Sequence, residues 1–134
     1  MVAIAGLAIA SDDETAIRGV LHADFDRADT RLVIDPVVVV GNHAIADWTQ
    51  GETGGRALLR RARGWTVILC SGDEIKTAEA LQRTGMQAGE AAALAARLLD
   101  AESAIPAERR AMLSTFQGTI QMGGSDPAPH YGAE

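Results

Sequence analysis

At 134 residues and 14.0 kDa the chain is long enough for one domain with its own core and too short for two. A net charge of −6, a pI near 5.0 and only five aromatic residues (Phe25, Trp48, Trp65, Phe116 and Tyr131) argue against a nucleic-acid binder, which needs basic residues for phosphates and aromatic faces for stacked bases. No apolar run reaches the ~18 residues of a membrane span, and a lone cysteine, Cys70, cannot form an internal disulfide.

The chain opens with an apolar stretch, Met1 to Ala10, that ends in Ala8-Ile9-Ala10 and gives way to Ser11-Asp12-Asp13. This matches the end of a secretory signal and its small-residue cleavage site, but the basic flank is missing. Two readings stand side by side: residues 1–10 are a signal-peptide remnant and the protein is exported or periplasmic, or they are the first strand or helix of a cytoplasmic protein. Ser11 and Glu14 have the spacing of a capping box, and Ile17, Val20, Leu21 and Phe25 recur at helical spacing, which predicts an amphipathic helix over 12–26. Leu32 to Val40 is β-branched and ends at Gly41-Asn42-His43, after which Ala44 to Gln50 reads as the second arm of a hairpin. Pro36, lacking an amide proton, belongs at a strand start, a bulge or an edge. The glycine-rich Gly51 to Gly55 turns into a third strand, Arg56 to Ala62, and Arg63-Gly64 into a fourth, Trp65 to Cys70.

From Asp73 the period becomes helical. Ile75, Ala78 and Leu81 form one stripe closed by Gly85, a second helix covers about 87–102, and a third begins near Pro106 and carries Met112, Leu113 and Phe116. Gly118 to Met122 is compatible with a short strand, and 123–134 reads as a flexible glycine and proline tail. The order predicts a single α+β domain over 11–122. An N-terminal helix packs on a four-stranded antiparallel meander, as in cystatin-like or NTF2-like folds, and a C-terminal helical segment follows.

No G-x-S-x-G elbow is present, and Gly51 to Gly55 lacks the G-K-[ST] ending and the helix of a phosphate loop, so no enzyme is expected. Asp12, Asp13 and Glu14 suit the first turn of a helix, where negative charge complements the dipole. Arg56, Arg60, Arg61 and Arg63 read as a solvated strand surface, with a docking patch for an acidic partner as the alternative. The soft donors are more specific. Cys70, Met86, Met112 and Met122, with His22, His43 and His130, are the side-chain types that select Cu(I) over harder cations. Met112 belongs to a helical core stripe, His22 lies beside an apolar helix face, His43 sits in a turn, and Cys70 ends a buried strand. Packing gives Met122 and His130 no reason to be where they are. The candidate metal ligands are therefore Met122 and His130, joined by Cys70. A pocket between helix 12–26 and the sheet, near Trp48 and Trp65, is the rival site, for a small molecule.

The segments Gly41-Asn42-His43-Ala44-Ile45-Ala46-Asp47-Trp48-Thr49-Gln50-Gly51, Gly54-Gly55-Arg56-Ala57-Leu58-Leu59-Arg60-Arg61 and Gly64-Trp65-Thr66-Val67-Ile68-Leu69-Cys70-Ser71-Gly72-Asp73 resemble the small bacterial family of copper uptake system-associated proteins. The likeness continues through Ser114 to Thr119 and Met122. The resemblance implies an exported, non-enzymatic accessory protein that works with copper-uptake proteins as partners.

Overall fold

The computed structural model describes residues 2–122, with side chains placed from Asp12 onward. Helix α1 runs from Val2 to Phe25, ten residues earlier than the capping box at Ser11 predicts. The run of Ala, Ile and Leu before Ser11 holds helix-forming residues and no proline, so the backbone has no reason to break there. Residues 2–10 are thus helical and continuous with the segment whose Ile17 and Leu21 are buried against the sheet. No helix among the described residues is long and apolar enough to cross a membrane.

The sheet has five antiparallel strands, not four: β1 (Leu32–Val40), β2 (His43–Gln50), β3 (Thr53–Arg61), β4 (Trp65–Ser71) and β5 (Thr119–Gln121), lying side by side in chain order. Between β4 and β5 come a 3-10 turn (Asp73–Lys76), α2 (Ala78–Arg83), α3 (Ala88–Ser103) and α4 (Ala107–Leu113). Helices stand at all three predicted places after Asp73, but the first is split at the extended Thr77 into a 3-10 turn and α2, the third ends at Leu113 and so does not carry Phe116, and the short segment before Met122 is the fifth strand. His43, expected in a turn, opens β2.

Both faces of the sheet are covered, so its strands read as nearly continuous apolar runs. On β2, Ala44 and Ala46 join the core under α1, and the alternate residue Ile45 joins the core under α2 and α3. On β3, Ala57 and Leu59 face α1, and Leu58 faces the helical pair. The stripe Ala91, Leu94, Leu98 and Glu102 of α3 is buried at three- and four-residue spacing.

Two irregularities set which residues reach which face. In β1 the register slips between Ile34 and Val37 around a cis Asp35-Pro36 bond, so the residue without an amide proton sits at a bulge on an edge strand. Arg109 of α4 covers this bulge, donating to the Asp35 and Val33 carbonyls and, at 2.6 Å, to Thr49 Oγ1. In β4, Leu58 pairs with Leu69 but Leu59 with Val67, leaving Ile68 as the extra residue. Val67 and Cys70, three apart, therefore both enter the core under α1.

Candidate functional site

A cavity of about 130 Å³ lies between the C-terminal end of α1 and the sheet. Leu21 and Phe25 form its helical wall, Leu32, Trp48 and Gln50 its β1–β2 wall, and Cys70, Phe116, Ile120 and Met122 the remainder. Gln50 Nε2 donates to the carbonyls of Phe25 (2.9 Å) and Thr30 (3.1 Å), which fixes the end of α1 over the sheet. The Trp48 and Phe116 rings meet edge to face, with centroids 5.9 Å apart. Phe116 comes this close because Gly72 and Gly55 lie beneath its segment. A Cβ on Gly72 would collide with the Phe116 carbonyl oxygen, and one on Gly55 would lie 3.0 Å from Phe116 Cβ.

Two of the three sequence-derived ligand candidates meet here. Cys70 pairs with Ile120 across the β4–β5 ladder, and the Met122 amide donates to the Ile68 carbonyl at 2.6 Å, which continues that pairing by one residue. Alternation then puts Cys70, Ile120 and Met122 on the cavity face of the sheet. Cys70 is 5% exposed, and burial pushes its thiol up to about 11, so it is protonated at neutral pH. Met122 is half-buried against the same core. His130 and the expected flexible tail lie outside the described residues. The other soft donors are elsewhere. Met86 is buried in the core under α3, and Met112, expected in the core, is only half-buried on α4. His22 is exposed and pairs with Asp26 at 2.9 Å, and His43 pairs with Glu90 at 3.2 Å. Among the described residues, no three His, Cys, Asp or Glu side chains are grouped to hold a metal ion. One polar atom of the cavity residues stands out: Trp48 Nε1 is buried, and its N–H finds no acceptor among the described residues.

The arginine strand departs from the expected solvated surface. Arg56 is 1% exposed. It shares a face of β3 with Leu58, and the helical layer covers both. Its Nε and Nη2 donate to the two carboxylate oxygens of Glu102 at 2.7 and 2.8 Å, a bidentate pair, and its Nη1 donates to the Gly72 carbonyl and to Asp73 Oδ1. Asp47, paired with Arg56 across the β2–β3 ladder, is fully buried with Oδ1 3.9 Å from Arg56 Nε. Arg61 stacks over Trp65 at 4.7 Å and donates to Asp13 at 2.7 Å. Only Arg60 and Arg63 are left exposed, so the four arginines do not form one docking patch.

Asp47 and Glu102 are not among the residues that motif and donor type single out, yet both carry a signal in the sequence. Asp47 interrupts the apolar series Ala44-Ile45-Ala46 before Trp48, and Glu102 occupies the next position of the Ala91, Leu94, Leu98 stripe. A charged residue at a core position of an amphipathic pattern requires a buried partner. No protein-family model, no curated protein sequence and no solved structure matches this chain.

Proposed function

We propose that this chain is a non-enzymatic accessory protein of bacterial copper uptake, exported to the periplasm, that takes Cu(I) at the wall of the cavity under α1. The observation that supports this reading is that Cys70 and Met122, far apart in sequence, line the same apolar cavity. A thiolate and a thioether are the donors Cu(I) prefers, and His130 supplies an imidazole from the segment beyond Met122. Cu(I) binding displaces the Cys70 proton. One positive charge replaces another, and the apolar cavity gains no net charge. Affinity therefore rises with pH until the thiol itself ionises, near 11.

The test is titration of the reduced protein with Cu(I) against a competing chelator. One-to-one binding that is lost in Cys70→Ala and weakened in Met122→Leu and His130→Ala is the expected result. Binding no tighter than the chelator, or unchanged in Cys70→Ala, overturns the reading.

A second reading rests on the unpartnered indole of Trp48: the cavity takes a small, mostly apolar molecule with one hydrogen-bond acceptor. A rise in melting temperature and a change in tryptophan emission with small phenols or ketones, unaffected by Cys70→Ala, would favour this reading over copper.

A further inference from the structure

The opposite face of the sheet holds a group that neither reading uses. Asp47 is 0% exposed, and neither of its carboxyl oxygens receives a hydrogen bond from any donor among the described residues. An ionised carboxylate left in that state is among the most costly arrangements a protein interior can hold. The cations around it, Arg56 and Arg109, offset only part of the cost, because each is hydrogen-bonded elsewhere. Arg56 of β3 is committed to both oxygens of Glu102, to the Gly72 carbonyl and to Asp73. Arg109 of α4 turns its guanidinium to the β1 bulge and Thr49. Lys76, on the 3-10 turn, acts on Glu102 rather than on Asp47. Among the described residues, the side chain placed to bond to Asp47 is Glu102 of α3, itself a carboxylate: its Oε2 lies 2.7 Å from the same Arg56 Nε that is 3.9 Å from Asp47 Oδ1.

Two carboxylates can bond to each other only through a proton. We propose that Asp47 and Glu102 share one proton in the folded protein, carried by Asp47, and that this O–H to carboxylate bond is a pH-operated latch between the sheet and α3. The assignment of the proton follows from the partners. Glu102 accepts two charge-assisted bonds from Arg56 and stays ionised, whereas Arg56 Nε lies 3.9 Å from Asp47, beyond hydrogen-bond distance, and bonds to Glu102 instead. With the proton in place the buried set of Arg56, Glu102 and Asp47 is electrically neutral, Asp73 being largely in solvent. Without it the set carries an uncompensated negative charge, and two carboxylates repel each other across the α3 contact. Burial and the Glu102 charge push the Asp47 carboxyl up to about 9, in line with the geometry.

The folded state keeps a proton that the unfolded chain releases at the ordinary aspartate value of ~3.9. The contribution of Asp47 to stability is therefore complete below ~4 and is lost progressively as pH rises to about 9. Asp47→Asn, whose neutral amide can still donate to Glu102, retains the bond and loses the titration.

The experiment uses the whole chain with its aspartate carboxyl carbons labelled with carbon-13. At neutral pH one aspartate signal is expected at the protonated position, moving to the carboxylate position as pH rises through about 9 and absent in Asp47→Asn. Denaturant titrations then compare the two proteins. The ratio of the unfolding constant of the native chain to that of Asp47→Asn should grow by up to about tenfold per pH unit between ~5 and ~8. All aspartates in the carboxylate position at neutral pH would overturn the proton assignment, a measurement on the native chain that does not depend on the variant folding. A ratio independent of pH would overturn the latch.

Discussion

The two faces of the sheet are built from the same strands but are finished differently. Under α2 and α3 the residues Ile45, Leu58, Leu81, Leu94 and Leu98 are almost fully buried, and at the end of that layer a fully enclosed ion-pair set closes against Glu102. Under α1 the central strands β2 and β3 contribute three alanines, Ala44, Ala46 and Ala57, among larger residues, and a cavity remains beside Cys70 and Met122. The α3 face spends its polar groups on locking one geometry, and the α1 face leaves room and keeps soft, apolar walls.

The largest expected break of this contrast is Glu102→Ala, which removes the bidentate partner of the buried Arg56 guanidinium and leaves it only the mostly exposed Asp73 and Asp47 at 3.9 Å. It should cost about 3–5 kcal/mol in a denaturant titration, and a loss below ~1 kcal/mol would mean that water reaches Arg56. Next comes overpacking. Ala91→Leu inserts a large side chain into the filled α3 side, where Ala91 is fully buried, and should cost about 1–3 kcal/mol. Cys70→Leu sends its extra atoms toward the cavity and should change stability by less than ~1 kcal/mol. Equal costs would mean that the two cores are equally full. A kinetic comparison sharpens the contrast further. With its thiol raised to about 11, native Cys70 should react with an alkylating reagent far more slowly at neutral pH than it does in denaturant, and the native rate should rise as pH approaches that value. The smallest effect concerns two arginines on one face of β3. Arg60→Ala, at the exposed end, should stay within ~0.5 kcal/mol, while Arg56→Ala, at the buried position on the same face, should cost several times more.

Much of this organisation is legible in residue pattern. The β-branched run of Leu32 to Val40, the turn glycines Gly41 and Gly51, both with positive φ, and the stripe of α3 are local signals and appear where expected. What escapes is decided by packing at a distance. The Ser11 and Glu14 pair is a good helix start, yet the residues before it are also good helix formers, and the helix continues. Arg56 looks like its exposed neighbours Arg60 and Arg63 until α3 places Glu102 above it. The meeting of Cys70 with Met122 depends on a bulge at Ile68 and on β5 pairing with β4, neither of which has a signature in spacing.

The sheet's connectivity gives its parts different histories. Strands β1 to β4 join neighbours through short turns, so their pairing closes small loops and can proceed hairpin by hairpin. The β4–β5 pairing is different: Ser71 and Thr119 are 48 positions apart, with the whole helical layer between them. Pairing that strand closes a far longer loop than any hairpin of the sheet, and it carries Ile120 and leads into Met122, two walls of the cavity. The cavity face is thus expected to be the last part of the sheet to be sealed, and in native-state hydrogen exchange its β5 amides should be the first of the ladder to open.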